Sequence, residues 1–193
     1  KNLLSIFENV INRGEFVGGK EIQKFEKNLA ELCRTKYSVA LNSGTDALTI
    51  ALFVCGVKRG DEIITPPNSF IASTSVIAHL GAKPVFVDVL PDQNIDPNKI
   101  IKAITKKTKV IMPVHLTGRM CNMIEIKKIS KKYNLKIIED SAQSIGSRYA
   151  SKMSGSFSDI GCFSAHPLKN LNALGDAGYL VTNNFKYYKK IKD

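Results

Sequence analysis

Two residues in this sequence, Asp140 and Lys169, have the types and the order that pyridoxal phosphate chemistry requires. Asp140 ends the apolar run Ile137-Ile138-Glu139-Asp140, and Lys169 follows 29 positions later in a polar segment. A lysine amine can bond covalently to the cofactor aldehyde, while a carboxylate beside the pyridine nitrogen keeps that nitrogen protonated. A single lysine is more often a solvated surface group, so this interpretation depends on further residues that occur with it.

A candidate phosphate site lies between the first predicted strand and the helix after it, in the segment Asn42-Ser43-Gly44-Thr45. Glycine lets the backbone turn closely, and the free N–H groups at a helix amino-terminus bind anions. A phosphate group therefore fits beside Gly44 and the hydroxyl of Thr45. The simpler alternative is a helix cap by Ser43 or Thr45, and the segment alone leaves both interpretations open.

Five further side chains could contribute to a site. Phe70 follows a predicted strand and could stack on a planar ring, although an isolated phenylalanine is more often part of the core. Gln143 could bond a ring substituent, and Ser164, just past another strand, could hold a phosphate oxygen. His115 and His166 are candidate acid–base groups. A lone histidine is more often structural, however, and neither has an obvious carboxylate partner in the sequence.

Apolar segments alternate with amphipathic segments along the chain, which predicts alternating strands and helices. Seven strands are predicted, at 38–41, 62–65, 84–89, 110–114, 135–139, 160–163 and 179–181. Continuously apolar strands such as Val110-Ile111-Met112 are typical of a sheet buried on both faces. The sequence therefore predicts an α/β fold with three layers (α/β/α) and a mostly parallel, seven-stranded sheet. Ligands of such sheets bind at the carboxyl ends of the strands.

Helices are predicted between the strands, at 45–54, 68–80, 97–104, 123–133 and from 184 onward, with Asp96 as the N-cap of the third. An N-terminal helix over about residues 1–34 is predicted to lead into the sheet, because apolar residues share one face within 21–33. No internal repeat or linker divides the sequence. We therefore expect one domain over residues 1–193.

The chain is basic, with a net charge of +11 and a pI of about 9.5. Its lysines follow helix faces, which is typical of solvated helix surfaces. The alternative is attraction of an anionic substrate or a nucleic acid. No helix-turn-helix or zinc-finger pattern supports nucleic-acid binding, so we expect no nucleic-acid partner. The lysines concerned are Lys127, Lys128, Lys131, Lys132, Lys186, Lys189, Lys190 and Lys192.

The four cysteines, at positions 33, 55, 121 and 162, are far apart and form no C-x-x-C pair. This spacing predicts neither a metal site nor a disulfide framework and fits a reducing compartment. No apolar run is long enough to span a bilayer and no signal peptide precedes the first helix, so we expect a cytoplasmic protein without a membrane partner. Both ends, Lys1 and Asp193, are expected to be interruptions of a longer chain.

Taken together and in order, the polar motifs closely resemble those of the DegT/DnrJ-type (StrS) sugar aminotransferases, which are fold type I pyridoxal phosphate enzymes. The resemblance extends over essentially the whole chain, from Phe16-Val17-Gly18-Gly19 onward. The other segments that carry it are 42–48 (NSGTDAL), 67–73 (PNSFIAS), 113–119 (PVHLTGR), 139–143 (EDSAQ) and 163–171 (FSAHPLKNL), with Gly175-Asp176. Jointly these motifs are highly specific.

The resemblance implies a role for each matching residue. Lys169 would bind the cofactor covalently and move the proton, and Asp140 would pair with the pyridine nitrogen, so these two are the expected catalytic residues. Gln143 would bond the phenolic oxygen and Phe70 would stack on the ring. The phosphate would be held by Gly44, Thr45 and Ser164.

The resemblance also implies a reaction, in which pyridoxal 5'-phosphate carries an amino group from glutamate to a nucleotide-linked keto sugar. Such reactions serve amino-sugar biosynthesis for cell-surface polysaccharides, including lipopolysaccharide, or for secondary metabolites. Members of the family form homodimers whose active sites use both subunits. Their chains are roughly twice this length. We therefore expect the smaller C-terminal domain, with some substrate contacts, to be missing from this sequence.

Two alternatives remain open. A sugar dehydratase on the same scaffold would resemble this chain, but relatives of that type replace the lysine with histidine, and Lys169 is present. A non-catalytic regulator or nucleic-acid-binding protein would leave the full set of cofactor residues unexplained. One departure from the family pattern is Ala177, where relatives often carry glycine, and we expect only a small local effect.

Overall fold

All seven predicted strands are present and belong to one sheet. The computed structural model describes residues 3–193. Two further strands of two residues each, which the sequence pattern did not predict, pair as a separate hairpin. The strands are β1 (Tyr37–Leu41), β2 (Glu62–Thr65), β3 (Lys83–Phe86), β4 (Thr108–Ile111), β5 (Lys136–Asp140), β6 (Arg148–Tyr149), β7 (Lys152–Met153), β8 (Ile160–Ser164) and β9 (Gly178–Thr182).

The sheet is mostly parallel, as predicted. Its strands lie in the order β1-β9-β8-β5-β4-β2-β3. Strand β9 is antiparallel to both of its neighbours, β1 and β8. Every other neighbouring pair is parallel. Strands β1, β2, β4, β5 and β8 therefore end at the same edge of the sheet, which is the edge where polar loops and ligands lie in such folds.

Two strands end earlier than predicted. Strand β3 stops at Phe86 because it is an edge strand and its only neighbour, β2, ends at Thr65 opposite Phe86. Strand β4 stops at Ile111, two residues before Pro113, which has no N–H to continue a ladder. Val114 then forms an isolated parallel bridge with Asp140.

The helices lie between the strands. They are α1 (Leu3–Arg13), α2 (Gly19–Cys33), α3 (Gly44–Val54), α4 (Ile71–His79), α5 (Pro97–Ala103), α6 (Met123–Tyr133) and α7 (Phe185–Lys192), with a short 3-10 turn at Leu116–Gly118. The predicted cap of α5 is confirmed, since the Asp96 carboxylate accepts a hydrogen bond from the N–H of Asn98 at 2.9 Å.

The single N-terminal helix expected over about residues 1–34 is wrong: α1 and α2 are separate. Gly14 (φ 68°) and Gly18 (φ 75°) adopt left-handed backbone between them, a conformation that ends a right-handed helix. Residues 1–2 of the predicted helix lie outside the described part of the chain. The apolar face predicted within 21–33 belongs to α2, whose Leu29, Ala30 and Cys33 are buried, whereas none of the residues of α1 is buried.

The core has two apolar layers, one on each face of the sheet. Side chains alternate along each strand, so Ile63 and Ile138 pack with α3, α4 and α7. Their neighbours Ile64 and Ile137 pack on the opposite face with α5 and α6. Helix α2 covers β8 and β9 on that second face. This arrangement is the predicted α/β/α sandwich. Within residues 3–193, none of the helices is both long and apolar enough to cross a bilayer.

The loop before α3 is held against the start of β9 by direct backbone contact. Gly178 lies so close to Ser43 and Gly44 that a Cβ atom at position 178 would overlap the backbone of both. Gly44 is packed as tightly on its other side, where an added Cβ would lie 2.8 Å from the Cβ of Ser164. The candidate phosphate segment is thus fixed by two glycines.

We predict that Gly178→Ala destabilises the full-length protein by about 2 kcal/mol, because a methyl group there forces two backbone segments apart. Gly175→Ala is the matched control: it lies three residues away, and an added Cβ meets nothing within 4 Å. Urea unfolding followed by circular dichroism measures both variants. Equal unfolding midpoints for the two would show that the contact does not constrain the loop.

Candidate active site

The seven predicted site residues all line one pocket at the carboxyl edge of the sheet. The pocket has a volume of about 540 Å³ and lies between the amino-terminus of α3, the end of β5 and the loop after β8. It is lined by Gly44, Thr45, Phe70, Asp140, Gln143, Ser164 and Lys169, together with residues such as Ser73, His166 and Asp176.

One end of the pocket is formed by the amino-terminus of α3, where backbone N–H groups favour an anion. Ser43 is the N-cap of α3, and its hydroxyl accepts the N–H of Asp46 at 3.0 Å. The cap predicted as an alternative is therefore real and is made by Ser43, not Thr45. It does not compete with phosphate binding. The first N–H groups of a helix, here those of Gly44 and Thr45, have no intrahelical acceptor and carry the positive end of the helix dipole.

A buried carboxylate faces the middle of the pocket. Asp140 ends β5, is only 5% exposed and lines the cavity. Its Oδ2 accepts a hydrogen bond from Ser73 Oγ at 2.6 Å, and its Oδ1 accepts the N–H of Ala142 at 3.2 Å. Burial raises the pKa of Asp140 above its ordinary value, although these hydrogen bonds oppose the rise. A cation bound in the pocket would favour the charged carboxylate.

Lys169 lies in a loop that is tied back to the end of β8. Its backbone N–H donates to His166 O at 2.8 Å, and its carbonyl accepts the N–H of Asn172 at 2.9 Å. The N–H of Ala173 closes the loop on Ala165 O at 3.0 Å. The side chain is half-buried and reaches the pocket. The hydrogen bonds and ion pairs of the described residues leave its amine without a partner, so it is available to a ligand.

Phe70 and Gln143 lie at the rim of the pocket. Phe70 is 74% exposed, so the interpretation of this residue as a core phenylalanine is wrong. It is held in extended backbone as the N-cap residue of α4, at the mouth of the cavity. Gln143 is exposed in the loop that follows Asp140. Both side chains are free to contact a bound ring.

The expectation that His115 lacks a carboxylate partner is wrong. His115 is 1% exposed, and its Nε2 lies 2.9 Å from Glu139 Oε2. Its Nδ1 accepts the N–H of Cys121 at 3.2 Å, so the ring proton is on Nε2 and is donated to Glu139. His115 has a structural role and does not line the pocket. The partner was missed because strand pairing, not sequence proximity, brings β5 beside the segment after β4.

His166 does line the pocket, on the loop that carries Lys169. Its Nδ1 accepts the N–H of Leu168 at 3.1 Å. Its Nε2 lies 3.7 Å from Asp176 Oδ1, beyond the range of a good hydrogen bond. This second histidine therefore also has a nearby carboxylate, and it connects the lysine loop with the segment before β9.

Glu139 has its charge satisfied entirely by the protein. Besides His115, its donors are the backbone N–H groups of Gly155, Phe157 and Ser158 and the hydroxyl of Ser158, at 2.7 to 3.0 Å. Burial by itself raises the pKa of Glu139, but the hydrogen bonds from His115, Ser158 and Gly155 outweigh it and hold the pKa below its ordinary value. Glu139 thus anchors the segment 155–158 to the sheet.

Ser73 is the residue of the pocket that the sequence interpretation missed. It lies within the motif at 67–73, but no role was assigned to it. A signal was present, because Ser73 follows Phe70 by three residues and such positions share a helix face. The acceptor of its hydrogen bond, Asp140, is 67 residues away in the sequence. That partner could be found only from the packing of α4 against the end of β5.

The family of the chain is clear from comparison with known proteins. The family model described as "DegT/DnrJ/EryC1/StrS aminotransferase family" matches residues 1–193. The chain therefore belongs to this family, as its motifs indicated. Its fold is that of the fold type I pyridoxal phosphate aminotransferases, and the family implies pyridoxal phosphate as cofactor.

Three similar proteins illustrate the relationship. The "dTDP-3-amino-3,6-dideoxy-alpha-D-galactopyranose transaminase" of Aneurinibacillus thermoaerophilus is 43% identical over 99% of this chain and 53% of its own length. A "Pleiotropic regulatory protein" of Geobacillus stearothermophilus is 40% identical over 98% of this chain and 51% of its own length. The solved structure of NtdA from Bacillus subtilis with bound cofactor PMP has a TM-score of 0.93 at 40% identity, covering 97% of this chain and 42% of that chain.

The chain spans about half the length of the curated relatives that it matches. The comparisons establish the family and the fold of this chain.

We predict that Glu139→Gln destabilises the full-length protein by about 3 kcal/mol at pH 7, because the amide NH₂ must face a backbone donor in a buried site. The control is Glu125→Gln, which loses only an exposed ion pair with Lys128 and should cost less than about 0.5 kcal/mol. Urea unfolding measures the free energy of unfolding of both variants.

The pH dependence follows from the lowered pKa of Glu139. A group whose pKa is depressed by folding stabilises the folded state above its unfolded pKa and loses that effect as the pH falls through the folded value. The difference between wild type and Glu139→Gln should therefore shrink as the pH falls below about 4.3, the ordinary pKa of glutamate. A difference that keeps its pH 7 value well below that pH would contradict a charged Glu139.

Proposed function

We propose that the full-length protein is a pyridoxal phosphate-dependent aminotransferase that transfers an amino group from glutamate to a nucleotide-linked keto sugar. One observation carries the proposal: a buried carboxylate and a lysine that has no polar partner among residues 3–193 face the same pocket, with a helix amino-terminus at its end. Such products serve amino-sugar biosynthesis, including cell-surface polysaccharides such as lipopolysaccharide, or secondary metabolites.

The pocket fits the cofactor at three chemically different points. A phosphate needs N–H donors and positive potential, which the start of α3 supplies beside Gly44 and Thr45. A protonated pyridine nitrogen needs an anion, and Asp140 is a buried carboxyl group whose charged form such a cation would favour against the effect of burial. An aldehyde needs a free amine, which Lys169 provides. The volume of about 540 Å³ is within the usual range for cofactor sites.

We assign the remaining contacts by position around the same pocket. Ser164 lies beside Gly44, so its hydroxyl would add to the phosphate site. Phe70, exposed at the rim, would stack on the ring. Gln143, three residues beyond Asp140, would bond the phenolic oxygen. These roles agree with those that the family resemblance implies for the same residues.

The bound cofactor supplies an electron sink for the carbon that loses or gains a proton. The residues of this chain would act around it. Asp140 would hold a proton on the ring nitrogen, which makes the sink effective. The amine of Lys169 would anchor the cofactor and then accept and return the proton in transfer. The loop that carries His166 and Lys169 would hold that amine in place, because it is closed by backbone hydrogen bonds from Ala173 to Ala165 and from Asn172 to Lys169.

The substrate class is supported by the family and by charge. The relative from Aneurinibacillus thermoaerophilus carries the name of a dTDP-sugar transaminase. A net charge of +11 attracts a substrate that carries a diphosphate, although it is not specific for one. Glutamate is proposed as the donor, and a cytoplasmic location is proposed because nucleotide sugars are made there.

We further propose a homodimer whose sites use both subunits. Two large apolar side chains that line the pocket, Phe70 and Leu168, are strongly exposed, which is unusual for a surface without a partner. A second subunit covering this rim would exclude water from the reacting atoms.

The alternatives fit the pocket less well. A dehydratase of the same scaffold would have histidine where this chain has Lys169. A regulator is suggested only by the name of the relative from Geobacillus stearothermophilus. A protein that only regulates has no need of a free amine opposite a buried carboxylate, so the pocket favours catalysis. Both alternatives predict no turnover with an amino donor.

The first test is the donor reaction. The full-length protein, loaded with pyridoxal phosphate and mixed with L-glutamate, should release 2-oxoglutarate and leave the cofactor in the pyridoxamine form, as followed by absorbance. A nucleotide-linked keto sugar should then restore the aldehyde form. Lys169→Ala should slow the donor reaction by about a hundredfold or more, since it removes the proton-transfer group. If neither glutamate nor glutamine converts the cofactor, the aminotransferase proposal is wrong.

The second test separates chemistry from binding. Asp140→Asn should lower the rate of the donor reaction by about a hundredfold or more, because the amide does not favour a protonated ring nitrogen. Cofactor affinity should change much less, since the phosphate contacts remain. Asp88→Asn, which removes a carboxylate at an exposed ion pair with Lys99, is the control for loss of charge alone. Near-normal rates for Asp140→Asn would exclude the proposed role.

A further inference from the structure

Ser73 has an environment that an ordinary helix serine does not need. It is the third residue of α4 and only 1% exposed, yet it lines the pocket. Its hydroxyl donates to Asp140 Oδ2 at 2.6 Å, a short distance typical of a hydrogen bond to a charged acceptor. A buried hydroxyl is unfavourable unless it is paired, and the partner here is Asp140, the buried carboxylate that lines the cavity.

The hydrogen bond restrains a rotation that Asp140 would otherwise have. The terminal torsion of an aspartate is broad, so one contact leaves the carboxylate free to turn. The N–H of Ala142 holds Oδ1, but Ala142 is only two residues further along the chain and moves with Asp140. Ser73 approaches from α4, a different element. Two donors from two elements hold both oxygens at once and fix the orientation of the carboxylate.

The hydrogen bond from Ser73 also affects the ionisation of Asp140. Asp140 is buried, and burial favours the neutral acid. Donation by Ser73 stabilises the ionised form, as does the position of Ser73 in the first turn of α4, whose dipole is positive at that end. The other charged or titratable groups that act on Asp140 are His115 and Lys169. His115 is committed to Glu139 and Lys169 is assigned to the cofactor, so within residues 3–193 Ser73 is the side-chain donor that serves Asp140, beside the backbone N–H of Ala142.

We propose that Ser73 is a positioning residue for the cofactor ring, holding Asp140 ionised and correctly oriented toward the ring nitrogen. This inference rests on the proposed function, since it needs pyridoxal phosphate in the pocket. Ser73 itself touches neither substrate nor reacting atom in this role. Its effect is transmitted through one hydrogen bond, so it should appear first in the protonation of the ring.

The test uses the full-length protein loaded with pyridoxal phosphate labelled with ¹⁵N in the ring. The ¹⁵N chemical shift distinguishes a protonated from an unprotonated nitrogen. In wild type the nitrogen should be protonated at pH 7.5. In Ser73→Ala its resonance should move toward the unprotonated position, and the donor reaction with glutamate should slow by about tenfold to a hundredfold, the usual effect of a lost bond to a charged group.

Three further variants make the test specific. Ser73→Thr keeps the hydroxyl and should restore both the resonance and the rate to within about threefold of wild type. Ser73→Cys fills the same space with a weaker donor, should resemble Ser73→Ala, and replaces it if Ser73→Ala does not fold. Ser75→Ala, on the same helix, removes only a long 3.4 Å bond to Ala72 O and should leave both readouts unchanged.

The outcomes separate this inference from the proposed function. If Ser73→Ala and Ser73→Cys match Ser75→Ala in resonance and in rate, the positioning role is overturned while aminotransfer stands. If the Ser73 variants shift the ring nitrogen but wild type converts no amino donor, the positioning role stands and the proposed function fails. A wild-type protein that binds no pyridoxal phosphate overturns both.

Discussion

The end of β5 carries two buried carboxylates on opposite faces of the sheet, and the candidate site depends on how each charge is compensated. Glu139 accepts five hydrogen bonds from the protein and has a lowered pKa. Asp140 accepts two and has a raised pKa. A buried charge is unfavourable until it is paired. The charge of Glu139 is paired within the chain, whereas a cation bound in the pocket would stabilise the charge of Asp140 further.

This asymmetry assigns different tasks to neighbouring residues. Glu139, with His115, fastens the segment 155–158 and thereby the hairpin region after β5 to the sheet. Asp140 is left as the acceptor that faces the cavity, and Ser73 holds it from α4. Adjacent residues of a strand point to opposite faces, so one strand end can serve structure on one side and ligand binding on the other.

The opposite end of the pocket is set by close packing of backbone. Gly178 and Gly44 allow the segment before α3 to lie against β9 and Ser164, which places helix N–H groups at a fixed distance from Asp140 and Lys169. Membership of the DegT/DnrJ/EryC1/StrS family agrees with this arrangement. The exposed apolar side chains of Phe70 and Leu168 are the part of the pocket that this chain leaves uncovered.

The sequence by itself determined the seven strands, most helix limits, the mostly parallel sheet and the family, because periodicity and ordered motifs are local signals. The seven candidate site residues chosen from the sequence line one pocket, since parallel strands bring their carboxyl ends to one edge, and their roles stay predictions. Only the tertiary structure decided the break between α1 and α2, the pairing of His115 with Glu139, the exposure of Phe70 and the bond from Ser73 to Asp140. Each of these except the break depends on contacts between distant segments, and the break depends on left-handed glycines, which local apolar patterning does not reveal.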